Sequence, residues 1–268
     1  MTFSANWLSM REPFDRRARN TAVLDAVAAW AAERSSVAVV DLACGLGSTL
    51  RAVTERLPPR QSWRLVDNDL SLLARTASLS RPPDLTVTAT PVDLARDLEA
   101  ALDGPIDLVT TSALLDLVSA EWLERLVTEV AARRLPVYAA LSYDGLATIE
   151  PPDASDAAVI DAVNRHQRRD KGFGPALGPE AAATAPARFE AIGYQVTQGS
   201  SDWVFGPRDV EIQTEVLLGW AAAARDVDPA SIGDLIAWLA RRRQHLTAGR
   251  SAMRVGHVDF FACPIATR

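Results

Sequence analysis

The run Val39-Val-Asp-Leu-Ala-Cys-Gly-Leu-Gly47 decides how this chain is read. Two valines lead into Asp41, small residues follow, and Gly45 and Gly47 open onto a helix-forming stretch, 48–56. A strand that feeds a helix through such a turn brings backbone N–H groups to a ligand at the strand's carboxyl edge. Glycine permits that approach because it has no Cβ. The same turn serves plain sheet-to-helix packing, so taken alone it leaves binding and packing both open. Asp41 narrows the ligand: a carboxylate at the strand end suits a cationic group and repels a pyrophosphate. Leu50 stands where a dinucleotide fingerprint has its third glycine, so a nicotinamide cofactor is not expected.

Outward from this turn the pattern alternates between helix and strand. Val23, Val27 and Trp30 sit at helical spacing in 21–34. Strands are expected at 37–41, 63–67, 86–90, 106–110 and 136–142, with helices at 70–78 and 121–134 between them. Strands alternating with helices form βαβ units and a mainly parallel sheet covered on both faces. Residues 146–187 break the rhythm with Pro, Ala and Asp. Beyond them come a helix at 187–192, a strand at 193–197, helices at 210–224 and 231–246, and a last strand at 255–262. The expected organisation is one domain, 1–268, with an N-terminal lid and helix (1–34), a core (36–145), an insert (146–187) and C-terminal strands with two inserted helices (188–268).

Composition excludes several classes. Asp and Glu total 34 against 28 basic residues, a net charge of -6, and Lys171 is the only lysine. A nucleic-acid binder needs a basic stripe to displace counterions from phosphates, so no nucleic-acid partner is expected. Cys44 and Cys263 make no disulfide scaffold, and two Cys with three scattered His make no zinc cluster; no metal is expected. No apolar stretch has secretory or membrane-spanning length, so the expected protein is soluble and cytoplasmic, with no membrane partner. The excess of Arg over Lys, with Ala-rich helices, fits a high-GC bacterial genome.

Asp67 ends the second strand and Asp93 follows the third. An acid at the second position of a doubly wound sheet hydrogen-bonds ribose hydroxyls, although Asp is also a favoured helix cap. Asp69 is the better placed cap, just before Leu70-Ser-Leu-Leu73. With Asp41, three acids stand at successive strand ends.

Together these segments resemble the class I S-adenosylmethionine (SAM)-dependent methyltransferases over roughly 36–145. Val39–Gly47 matches the family's first motif, with Ala43 where Gly is commoner. Leu65-Val-Asp-Asn-Asp-Leu-Ser-Leu-Leu-Ala-Arg75 looks like the second, Val92-Asp-Leu94 is similar to the third, and Pro105–Val118 to the fourth. The resemblance implies a Rossmann-like, doubly wound α/β fold. Its sheet would have seven strands, mainly parallel, with the antiparallel C-terminal strand 255–262 between the fifth strand and 194–197. A lid helix and helical insertions would complete it.

The implied cofactor is SAM, leaving as S-adenosylhomocysteine. Asp41, Ala43, Gly45 and Gly47 would lie near its methionine part, Asp67 with Asn68 at the ribose, and Asp93 with Leu94 at the adenine. Thr111 and Ser112 would lie beside the methionine on the acceptor side. The cofactor carboxylate needs a cation, for which the Arg-rich 11–19 segment is the expected source, with Arg19 chosen for its fork; a solvated charge run is the alternative.

Methyl transfer from a sulfonium relies on positioning and desolvation, and needs a base only if the acceptor must lose a proton. Asp116 lies where a His is common in the family, and is either an acceptor residue or an exposed helix start. His166-Gln-Arg-Arg-Asp-Lys-Gly-Phe-Gly174 offers His166 as a second possible base, with Arg169 and Lys171 as anion ligands. It reads equally as a solvated helix end. Arg11 and Tyr143 join the acceptor set. Trp7, Trp203 and Trp220 form either an aromatic wall or core, and His257 reads as structural. The expected function is methylation of O or N on a small polar or anionic metabolite. A SAM-binding regulatory or scaffold protein without catalysis is the alternative. Monomer and homodimer are both open.

Overall fold

A computed structural model of the chain describes residues 3–77 and 83–265. Its sheet follows the order β3-β2-β1-β4-β5-β8-β6, where β1 is Ser36–Leu42, β2 Arg60–Asp67, β3 Leu85–Pro91, β4 Leu108–Ser112, β5 Val137–Glu150, β6 Tyr194–Ser200 and β8 Ala252–Pro264. The pairs β2–β3, β1–β2, β1–β4 and β4–β5 are parallel, whereas β8 runs antiparallel to both β5 and β6. The last strand therefore lies where the resemblance implied.

Parallel strands are covered on both faces and must be apolar on both. In β1, Val37, Val39, Val40 and Leu42 are all buried, and they divide between two core clusters on opposite faces. One is closed by α6 (Ala120–Ala132) and α8 (Ala181–Ala191), the other by α2 (Thr21–Ala31) and α3 (Ser48–Val53). A third cluster wraps the outer ends of β5 and β8 with residues of α1 (Ala5–Ala18), α7 (Asp156–Gln167), α9 (Val210–Val227) and α10 (Ile232–Thr247). Among the described residues no helix is long and apolar enough to cross a membrane.

Three expectations are corrected. The sheet has eight strands rather than seven, because β7 (Trp203–Phe205) pairs antiparallel with Met253, Arg254 and Val255. At three residues it is too short to show an alternation. The helix expected at 187–192 is α8, which begins at Ala181 and carries Pro186 inside it. The insert does not begin at 146, since β5 runs to Glu150 through register shifts after Ala139 and Tyr143, and α7 follows. The helix expected at 70–78 is α4, Leu70–Ala77, and Ser78 lies outside the described residues.

Candidate active site

The carboxyl ends of β1 to β4 converge on one cavity, roofed by α1. It is lined by Phe3, Leu8, Arg11, Glu12 and Asp15 from the N-terminal segment, by Ala43 to Leu46, Ser48 and Thr49 of the first turn, and by Asp67, Asn68, Asp69 and Leu72 after β2. Val92 to Ala95, Ser112 to Leu114, Leu117 and Lys171 to Phe173 complete it. Of the residues singled out from sequence, Arg11, Ala43, Gly45, Asp67, Asn68, Asp93, Leu94, Ser112 and Lys171 are thus brought together.

The turns are locked by backbone bonds. Asp67 Oδ2 accepts the Gly45 N–H at 2.9 Å and its Oδ1 accepts the Asp69 N–H at 3.0 Å, so one carboxylate fixes two turns. Asp69 caps α4, accepting from the N–H groups of Ser71 and Leu72. Asp93 Oδ1 accepts the Ala95 N–H at 3.1 Å, and Trp122 Nε1 donates to the Leu94 carbonyl at 2.6 Å. That indole bond holds the Leu94 peptide.

Ala43 and Ala113 both line the cavity and both have left-handed backbones, φ 54° and 52°. An L-residue there is strained by roughly 1–2 kcal/mol, and such strain gathers at functional sites. This explains why glycine is the commoner residue at position 43 in the resemblance. Ala43→Gly relieves more strain than its added chain entropy costs. Its thermal midpoint is expected to rise by about 2–4 °C for ~1 kcal/mol gained, whereas Ala43→Val lowers it; calorimetric melting of both variants checks this.

Beneath the first turn lies a buried polar pair. Asp41 Oδ1 accepts from Thr110 Oγ1 at 2.7 Å, while Oδ2 has no hydrogen-bond partner among the described residues, and burial pushes this carboxyl up to about 7. Arg19 donates to Tyr138 Oη at 3.0 Å and to Ser112 Oγ at 3.4 Å, and its Nε has no hydrogen-bond partner among the described residues. An acceptor and a donor left over in one buried region complement a zwitterion, as a free amino-acid end would be. Neither residue lines the cavity itself; Ser112 connects Arg19 to it. Thr111 and Gly47 also lie behind the lining, Thr111 donating to the Leu42 carbonyl at 3.0 Å.

The insert returns at 176–178 to the segment that joins β4 to α6, where Leu177 and Gly178 N–H groups donate to the carbonyls of Val118 and Asp116. That docking buries Asp116 to 5% exposure and leaves its Oδ1 without a hydrogen-bond partner among the described residues. Burial raises this carboxyl to about 6, moderated by backbone N–H groups, among them that of Tyr143, and by Arg11 and Lys171. Tyr143 itself turns away, its hydroxyl donating to Asn164 Oδ1 at 2.8 Å. His166 stands behind Lys171, whose Nζ lies 3.2 Å from His166 Nδ1 and donates to its carbonyl at 3.0 Å. Burial first, then the Lys171 and Arg169 charges, lowers the His166 pKa. Arg169 is not brought to the cavity; it donates to the Asp226 carbonyl on the exposed side.

Sequence reasoning missed Leu8, Glu12 and Asp15. With Arg11 they form one face of α1, a face readable only as i, i+3, i+4, i+7 spacing in a charged helix. Glu12 forms a bidentate ion pair with Arg51 at 2.5 and 2.6 Å, and Arg51 also donates to the Leu46 carbonyl at 2.7 Å, which fastens α1 to the glycine turn. Trp203 is buried under Arg11, and none of Trp7, Trp203, Trp220 and His257 lines the cavity. The His257 ring lies 3.0 Å from the Val255 carbonyl through Nδ1, and burial with the Arg11 charge pushes its pKa down to about 3.

No family model matches the sequence, and no curated protein matches it. Solved structures do. A cyclopropane-fatty-acyl-phospholipid synthase-like protein of Lactobacillus casei superposes with a TM-score of 0.52 at 13% identity, over 97% of this chain and 94% of that one. The YcgJ protein of Bacillus subtilis gives 0.51 at 13% identity, over 92% and 100%. A methyltransferase candidate from Bacillus halodurans gives 0.50 at 12%, over 91% and 99%. The chain has the methyltransferase fold. In that fold the parallel strands present their carboxyl ends as a ligand crevice, and here Asp67, Asp93 and the Gly45 turn all meet at it.

Proposed function

We propose that the chain is a SAM-dependent methyltransferase acting on O or N of a small polar or anionic metabolite. One observation carries this reading: Asp67, Asp93 and the Leu94 peptide, at the ends of two adjacent strands, line the same cavity as the Gly45 turn. Asp67 would hold the ribose, with Asn68 beside it. Asp93 and Leu94 would hold the adenine. The unpartnered Oδ2 of Asp41 and Nε of Arg19 suit the ammonium and carboxylate of the amino-acid end, Arg19 acting beside Ser112. The bound group supplies an electrophilic methyl on a sulfonium.

The chain's own task is then to hold the acceptor in line and take its proton. Asp116 is the base in this account. Asp116 Oδ1 would receive the proton that the acceptor's O or N loses on methylation by the bound donor. A buried carboxyl near pH 6 is mostly ionised at neutral pH yet still basic enough to be effective. His166 positions Lys171. The direct test is S-adenosylhomocysteine release from SAM on a fractionated metabolite extract. Release supports the enzyme; tight SAM binding with no release from any fraction supports a regulatory SAM-binding protein instead.

The raised Asp41 carboxyl gives a pH dependence with a definite sign. A ligand bringing ammonium and sulfonium charge favours the ionised carboxylate, so binding expels the proton Asp41 holds below about pH 7. Affinity is therefore expected to fall about fivefold from pH 7 to pH 6, with proton release read as buffer-dependent heats in calorimetry. Affinity constant across this range would contradict the assignment.

A further inference from the structure

Arg11 is held by contacts that leave most of its fork unspent. Its Nε donates to Asp15 at 2.8 Å, and its guanidinium lies 4.8 Å over the Trp203 ring. Asp15 is fixed in turn by Trp203 Nε1 at 2.9 Å. The residue is only 8% exposed, yet it lines the cavity, and its two Nη groups donate to nothing among the described residues. A guanidinium locked between a ring and a carboxylate is a preorganised receptor for an anion with two oxygens, because parallel N–H···O bonds match that geometry. Its surroundings exclude most water, which strengthens any such pair.

The position of Arg11 distinguishes it from the cation reserved for the cofactor. Arg19 lies beneath the first turn beside Ser112, whereas Arg11 and Lys171 both act electrostatically on Asp116. Two cations that line the cavity therefore bear on a buried acid whose Oδ1 has no partner among the described residues. We propose that the methyl acceptor carries a carboxylate or phosphate next to its nucleophilic atom, bound bidentately by Arg11 with Lys171 as the second cation. This rests on the methyltransferase reading above.

The charges close. Counted against Asp15 and Asp116, Arg11 and Lys171 leave no net charge, so a singly charged acceptor anion would be balanced by the sulfonium before transfer. After transfer the sulfonium charge is gone and Asp116 is neutral, so the chamber ends neutral as well. The bound anion also makes Asp116 a stronger base by like-charge repulsion.

The test uses the whole protein saturated with S-adenosylhomocysteine, titrated at constant ionic strength with sodium acetate, sodium phosphate or neutral acetamide, with the thermal midpoint as readout. Acetate or phosphate is expected to raise the midpoint saturably, the larger effect naming the oxyanion, and acetamide is not. In Arg11→Gln the apparent affinity for the anion falls at least tenfold, and in Lys171→Met it falls severalfold; the second variant keeps the test valid if the first folds poorly. Three results overturn the proposal. They are no saturable anion effect, an effect unchanged in both variants, or an effect present in the cofactor-free protein and lost on saturation, which would assign Arg11 to the cofactor's carboxylate. If S-adenosylhomocysteine itself fails to bind, the methyltransferase reading has failed, and an Arg11-dependent anion effect in the free protein still supports the fork.

Discussion

Asp67→Ala is expected to weaken SAM binding by at least about a hundredfold in isothermal calorimetry. The carboxylate already accepts the N–H groups of Gly45 and Asp69, at 2.9 and 3.0 Å, which fixes both its oxygens toward the cavity turn. Each oxygen keeps a lone pair for a ribose hydroxyl. Hydrogen bonds to a charged group contribute about 1.5–3 kcal/mol each, and losing two accounts for the expected factor. The substitution also frees the Gly45 turn, so the loss is not confined to the ribose. Asp67→Asn keeps the volume but turns one acceptor into a donor facing a backbone N–H, and should bind with intermediate affinity. Near-unchanged affinity in Asp67→Ala would place the ribose elsewhere.

Asp116→Asn should reduce kcat by about 10²–10⁴, the usual contribution of a positioned base, while SAM affinity stays within about twofold of the original. The wild-type rate should carry an acid limb near pH 6, since that is where burial sets this carboxyl. Below that pH Oδ1 is protonated and accepts nothing, so kcat/KM falls tenfold per unit; above it the rate is level. The variant loses the limb along with the rate. Instability does not mimic this result. A carboxyl whose folded pKa is raised above its unfolded value destabilises the fold increasingly as pH rises through that range, and removing the charge relieves the fold at pH 8. A variant that keeps both rate and limb would remove Asp116 from the chemistry.

The parts legible in sequence were those set by local periodicity. The doubly buried β1 reads as an apolar run and the outer β2 and β3 as short alternating runs, so Asp41, Asp67 and Asp93 can be placed at one sheet edge from sequence. The position of β8 followed from the resemblance. What could not be read depends on contacts across long separations. Arg11 is placed in the acceptor set from sequence, but the packing of its guanidinium over Trp203, nearly two hundred positions away, is not readable near position 11. Asp116 looks like an exposed helix start because only the return of the insert at 176–178 covers it. The helix α7 was hidden because its buried face is the narrow set Val159, Ala162 and Val163, flanked by Pro and Asp. Arg19, expected at the cofactor's carboxylate, is buried and sits behind the lining rather than in it. A helical pattern states which face is buried and not which of its charges meets the ligand.

The central claim is that one cavity at the carboxyl edge of the sheet holds the methyl donor in a fixed orientation. A crystal structure of the protein with S-adenosylhomocysteine tests it most directly. The ribose hydroxyls are expected on Asp67, the adenine against Asp93 and Leu94, and the amino-acid end toward Arg19 and Asp41. Density for the ligand outside this cavity, or inside it with the adenine and the amino-acid end exchanged, would contradict the account.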